Sequence, residues 1–212
     1  MLPHWFKQVR RIFMQPAPGP DGLWGLAAGG PLSAMHSESF TALGSRYKPE
    51  TCRKILADWW EIHNREDVFP RCDGLHTGGH TAQARELIHD FADAPPPDDR
   101  IWAGKLRCAL KYKKEILERG LRGWDLGRVA SVARWSHTAG FISAAEAWNL
   151  ILKPAPLLRR EYDSWQDYGE AWRIGFAFYN AGEPDDDFAQ KLDWMQRNSA
   201  SPWKKIPWNP GG

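Results

Sequence analysis

GWDLGRVASVARWSHTAGFISAAEAW, residues Gly123 to Trp148, is the stretch that decides the fold class. It reads as a helix, a glycine stop and a second, capped helix. Trp124, Arg128 and Ser131 share one side of the first helix, while Val129, Val132, Ala133 and Trp135 form an apolar stripe. Gly140 ends that helix, because glycine enters the left-handed region without steric cost. Ser143-Ala-Ala-Glu146 is an S-x-x-E capping box, whose two polar side chains satisfy backbone N–H groups at the next helix start. The same stretch carries the densest mixture of tryptophan, glycine and paired charge, so it is also the first place to look for chemistry.

The pattern continues on both sides. Upstream, Gly120 closes a helix expected over Arg100–Arg119, and APPPDD (Ala94–Asp99) is a stiff linker between two helical halves. Thr81–Phe91 predicts a helix with Leu87, Ile88 and Phe91 inward, preceded by a stop at Gly78-Gly79. Asn64 followed by Asp67 caps a helix that Pro70 should kink or shorten. Pro49 opens another, with Ile55, Leu56, Trp59 and Ile62 as its buried stripe. Further back, the glycine-rich segment after Leu23 allows one helix near Ser33–Leu43, and QPAPGPDG (Gln15–Gly22) should break all regular structure. Trp5–Met14 fits a short amphipathic helix, either docked on the domain or lying on a membrane surface. Downstream, Pro154 and Pro156 interrupt the second helix of the hairpin. Ser164 caps a helix carrying Trp172, Ile174 and Phe178, Gly182 stops it, and Pro184 with the following aspartates opens a last helix on Phe188, Leu192 and Met195.

No strand-like alternation is long enough for a sheet. The expectation is an all-α chain, a single irregular or orthogonal bundle of roughly seven to eight helices joined by glycine- and proline-marked turns. Residues 1–22 would be an N-terminal helix and linker, 23–200 the helical domain, and 201–212 a tryptophan- and proline-bearing tail. That tail, with Trp203 and Trp208, is either a linear motif for a partner or an arm packing back on the domain.

Composition narrows the function class. A formal net charge of +2 provides no global field for nucleic acid or an anionic membrane. The scattered basic residues Lys105, Arg107, Lys111, Lys113 and Lys114 do not share one face, so a solvated surface is expected there. Thirteen tryptophans, spread from Trp5 to Trp208, suit wide aromatic plugs where helices cross. Three widely spaced cysteines form no CxxC pair, which disfavours a disulfide framework or zinc site and suits a reducing compartment. No apolar run is long enough to span a membrane. The expected setting is the cytoplasm, although a leaderless export route would leave no mark on a sequence.

The candidate chemistry is sparse. Asp125 and Arg128 stand three apart on one helix, with Arg134 and Glu146 further along the hairpin. They read either as an anion-binding arginine held by carboxylates in a tryptophan-lined cleft, or as ion pairs tying helices together. Glu146 already has a capping duty. Glu61, His63, His76, His80 and His137 invite a metal hypothesis, but Thr-Gly-Gly between His76 and His80 interrupts helical ligand spacing, so no metal and no cofactor are expected. Ser164 lacks a nucleophile motif and sits at a helix start, where capping explains it.

Several motifs resemble one family. W-D-L-G-R (Trp124–Arg128), A-R-W (Ala133–Trp135), A-G-F-I-S-x-x-E-A-W (Ala139–Trp148), S-W-x-x-Y-G (Ser164–Gly169) and G-x-x-F (Gly175–Phe178) are similar to the bacterial family known as domain of unknown function 1266. D-W-W-E-I-H-N-R-E-D (Asp58–Asp67) and Gly79-His80 resemble its upstream pattern, with Thr81 where the family tends to have arginine. The resemblance implies an α-helical bacterial protein and supplies no catalytic list. The expected function is a protein-interaction module of effector, immunity or adaptor type, its partner another protein. The alternative is an enzyme or toxin acting on an anionic substrate through Asp125, Arg128 and Glu146. Trp124, Arg128, Arg134, Trp203 and Trp208 are the candidate binding residues.

Overall fold

The computed structural model describes residues 19–91 and 97–209. The helix expected over Trp5–Met14 lies outside them, as do Gln15–Pro18 and the Ala94–Pro96 half of the proline linker. Among the described residues there are thirteen helices and no strand, eleven of the helices having seven residues or more. The all-α class holds, but the helices outnumber the roughly seven to eight expected.

In chain order they are α1 (Gly19–Ala28), α2 (Gly30–Met35), α3 (Pro49–Trp60), α4 (Arg65–Thr77) and α5 (Gly79–Asp90). Then follow α6 (Arg100–Lys111), α7 (Lys113–Arg119), α8 (Arg122–Thr138) and α9 (Ala144–Leu152). The chain closes with α10 (Ala155–Glu161), α11 (Trp165–Tyr179), α12 (Asp186–Arg197) and α13 (Pro202–Lys205).

The differences from expectation have local causes. Helix α1 runs through Gly19–Gly22, read above as a breaker: Pro20 sits in its first turn, where no intrahelical N–H is needed. The helix expected near Ser33–Leu43 is α2 followed by an irregular segment. The helix expected over Arg100–Arg119 divides at Tyr112. Pro70 does not shorten α4, which remains continuous over 13 residues with the proline on its outer side. On α3 the buried positions are Cys52, Leu56 and Trp60, whereas Trp59 is 64% exposed. Leu56 and Ile62 of the expected stripe are buried and Ile55 is half-buried; Trp59 is the member that faces out, with Trp60, about 100° around the helix, covered in its place.

The capping signals were read correctly. Asn64 with Asp67 and Ser143 with Glu146 form capping boxes, while the Ser164 and Asp185 side chains accept N–H bonds at the starts of α11 and α12. Gly120, Gly140 and Gly182 all have positive φ at their helix ends.

The largest departure concerns α8. Every residue from Gly123 to Thr138 is buried, so this helix has no solvent side to contrast with its apolar stripe. It runs through the middle of the bundle and packs against α3, α4, α9 and α11. Its crossing with α11 depends on absent side chains: a Cβ at Gly127 would collide with Trp172, and one at Gly175 with Trp124.

Apolar clusters surround this axis. One joins α3, α4 and α9 to the Val129–Trp135 side of α8. Another gathers α1, α10, α11, α12 and the C-terminal segment around Trp124 and Leu126. The third joins α5 to α6, α7 and α11, so the two halves on either side of the proline linker share a core.

The C-terminal segment is part of that core. Trp203 and Trp208 are buried, and the Nε1–H groups of four indoles reach backbone carbonyls: Trp203 to Ala27 at 2.7 Å, Trp208 to Tyr162 at 2.8 Å, Trp24 to Trp208 at 2.8 Å, and Trp165 to Ile206 at 2.7 Å. Trp165 stacks on Trp203 at 5.3 Å and meets Trp208 edge-on at 4.7 Å. Of the two readings of the tail, the arm packing back is the one seen for Ser201–Asn209. Cys52, Cys72 and Cys108 are free, buried thiols, and burial pushes Cys72 up to about 12.

Trp203→Ala should remove about 3–5 kcal/mol of stability in urea denaturation, the range for truncating a buried aromatic, whereas exposed Trp59→Ala should change it by no more than about 0.5 kcal/mol. Equal effects would mean that the tail is not part of the cooperative unit.

Candidate functional site

At the N-terminal end of α8, Asp125 is fully buried and its carboxylate is met from two elements. Arg128, one turn on, donates from Nη2 to Oδ1 at 2.7 Å. His80, in the first turn of α5, donates its backbone N–H to Oδ2 at 3.0 Å and places ring Nδ1 3.1 Å from Oδ1. Gly79 makes this approach possible. It has φ of +46°, and a Cβ there would lie 2.5 Å from Oδ2 and 2.6 Å from Oδ1. Only a glycine lets the start of α5 lie directly on the carboxylate.

Arg128 is sealed by more than its partner. Its guanidinium lies over the Trp124 ring at 4.5 Å and the Trp60 ring at 5.2 Å, and Nε donates to the Trp124 carbonyl at 3.3 Å. Burial pulls its pKa down, and the Asp125 charge offsets that pull. Arg128 Nη2 also stands 3.0 Å from His80 Nδ1. A guanidinium only donates, so Nδ1 cannot both accept from Arg128 and donate to Asp125. A proton on Nδ1 gives the buried carboxylate its third donor and leaves the Nε2 lone pair without a protein partner among the described residues.

The His80 ring lines a cleft of about 690 Å³ between α3, α4, α5 and the end of α11, with Arg128 at its floor. The wall formed by α4 carries Glu66, Pro70 and Gly74 at one-turn intervals. Trp59 and Trp60 lie at the end of α3, and Tyr179 closes the side belonging to α11. Glu61 is tied to Arg71, and Asp67 is engaged with the His63 and Asn64 N–H groups.

The other candidates lie elsewhere. Arg134 is 1% exposed and donates to the carbonyls of Leu43 (3.1 Å) and Gly44 (3.2 Å) and to Ser33 Oγ (3.2 Å), with Glu38 3.7 Å away. Burial lowers its pKa too. Glu38 in turn accepts from Ser45, Arg46 N and Trp135 Nε1, so the pair fastens the irregular segment after α2 onto α8. Glu146 caps α9 and pairs with Arg65, outside the cleft. Trp203 and Trp208 belong to the core, and Trp124 serves as the platform beneath Arg128. His137 Nδ1 bonds the Ile142 carbonyl, so His80 and His137 have separate surroundings.

In the sequence His80 stands out only within a histidine set weighed for metal binding, and its pairing with Asp125 is not apparent there. The available signal was that Gly79-His80 and W-D-L-G-R both matched one family pattern 45 residues apart. Thr81, standing where that pattern tends to have arginine, is buried and accepts the Leu121 N–H at 2.9 Å, which docks α5 on the start of α8.

The profile described as "Protein of unknown function (DUF1266)" matches residues 55–208. The chain belongs to this family. No curated protein and no solved structure matches it. The DUF1266 region begins within α3 and ends at Trp208, so it contains every element of the cleft and the indole-bonded tail.

Two measurements check this site. Arg128→Met leaves a buried carboxylate without its cation and should cost about 3–5 kcal/mol, whereas Asp125→Leu combined with Arg128→Met should recover most of that loss in urea denaturation. For Glu146, the Ser143 bonds and then Arg65 hold the carboxyl down at about 2 from an ordinary 4.5. A depressed carboxyl contributes stability above its unfolded pKa and loses it as pH falls through the folded one. The gap in urea midpoint between wild type and Glu146→Gln should therefore be full at neutral pH and close between pH 4.5 and about 2.

Proposed function

We propose that the cleft at the end of α8 is the working site of this DUF1266 protein, and that His80 acts there as a general base on a bound ligand. The observation that carries this reading is the buried carboxylate of Asp125, which orients the imidazole through Nδ1 while the ring lines the cleft. A base held by a third group is the arrangement that proton abstraction requires. The described lining holds no serine, threonine or cysteine, so the base would activate water or a group on the ligand rather than a protein nucleophile. Arg128 is closed into its pair with Asp125, which favours a positioning role over capture of an anionic substrate.

A second reading keeps the protein-interaction function. It draws support from the rim, where Trp59 is 64% exposed and Tyr179 53%, large aromatic surface beside a groove. The tail no longer supports it, because Trp203 and Trp208 are in the core.

A fragment library screened by heteronuclear NMR tests the proposal. Hits should shift the signals of Gly74, His80 and Gln83, and long-range correlations should place the ring proton on Nδ1 with Nε2 responding to ligand. For any substrate so found, His80→Gln should lower turnover by about 100-fold or more. Hits that cluster away from the cleft, or a ring proton on Nε2, would overturn the reading.

A further inference from the structure

The charges facing the cleft are unequal in their partners. Arg128 is neutralised by Asp125, Arg71 and Glu61 are paired, and the Asp67 carboxylate is taken up by backbone N–H groups. Glu66 remains as an exposed carboxylate with no ion pair or hydrogen bond among the described residues. Two carboxylates of the cleft are thus without a counter-ion, Glu66 and Asp67, and of these Glu66 is the one without hydrogen bonds among the described residues.

The same wall of α4 has two further properties. Pro70 has no N–H, so the Glu66 carbonyl lacks its usual donor four residues on. Gly74 lies one turn beyond, inside a helix, where glycine is disfavoured relative to alanine. No packing explains it, since a Cβ there would meet nothing within 4 Å. The lining that results has no side chain at Gly74 and carries the unpaired carboxylate of Glu66 two turns before it.

Opposite, the exposed indole of Trp59 and ring of Tyr179 offer π faces of the kind that attract cations. Trp60, 8% exposed, lines the cleft as well.

We propose that the cleft recognises an organic cation, an ammonium or guanidinium held at Glu66 in a cleft that also presents the aromatic rings of Trp59 and Tyr179. A lysine or arginine residue of a peptide and a free acylated amine share this chemistry. The inference rests on the reading of the cleft as a ligand site.

Calorimetric and NMR titrations with N-acetyl-arginine methylamide, N-acetyl-lysine methylamide, agmatine and N-acetyl-glutamate methylamide test it. The arginine and lysine probes should bind and shift Gly74 and His80, while the glutamate probe should not. Glu66→Gln, a surface change, should weaken them about tenfold, equivalent to ~1.4 kcal/mol. Tighter binding of the capped residues than of agmatine points to a peptide source, and equal binding to a free amine. Binding of the glutamate probe as strong as that of arginine, or indifference to Glu66→Gln, overturns the cation proposal. If fragments occupy the cleft while no cationic probe does, the ligand class fails and the site stands; if neither does, the site reading itself fails.

Discussion

Helix α8 is enclosed on every side, and a helix cut off from water must bring a partner for each charge it carries. This one carries Asp125, Arg128 and Arg134 within ten residues. Desolvation pulls both guanidinium pKa values down, and each arginine is kept in place by a different remedy. Arg134 is met mainly by backbone carbonyls and by Glu38, which holds an otherwise irregular segment against the bundle. Arg128 is met by Asp125 and by two indole faces. The first solution is closed and structural. The second has an open side, because the element that completes it is the glycine-led start of α5, and the ring of His80 reaches the cleft from there.

The close packing of α8 also accounts for the tryptophans. Helices that cross at glycines leave hollows beside the crossing, and wide rings fill them: Trp172 against Gly127, and Trp124 against Gly175. Around the other end of the bundle, Trp24, Trp165, Trp203 and Trp208 form an aromatic joint whose N–H groups all end on backbone carbonyls. A ring that is buried and also hydrogen-bonded has little freedom to serve as a partner motif. An exposed tryptophan is a more informative feature: Trp59 stands beside the cleft, next in sequence to Trp60, which also lines it.

Much of the fold was legible in the sequence because caps and stops are local chemistry. Asn64 with Asp67, Ser143 with Glu146, Ser164, Asp185 and the glycines at 120, 140 and 182 act within one turn of themselves, and each marks the boundary expected of it. What was misread depends on surroundings. Trp59 and Trp60 are equally apolar as residues, and only the direction of the neighbouring helices decides which is covered. Pro20 was taken as a breaker because it stands among other prolines, yet a helix tolerates it in the first turn. The site was half visible: Asp125 and Arg128 are one turn apart, but their third member comes from a separate helix.

By itself, then, the chain determined an all-helical fold, its capped boundaries, its family and the Asp125–Arg128 pair, because each of these follows from periodicity, backbone satisfaction or motif over a short span. Tertiary structure alone decided that α8 is buried all round, that Trp203 and Trp208 are core, that Arg134 and Glu146 lie outside the cleft, and that His80 meets Asp125. The reason is the same in each case. Burial and hydrogen-bond partners are properties of the space between elements, and Asp125 gains its histidine only because Gly79 lets α5 approach a carboxylate 45 residues away in sequence.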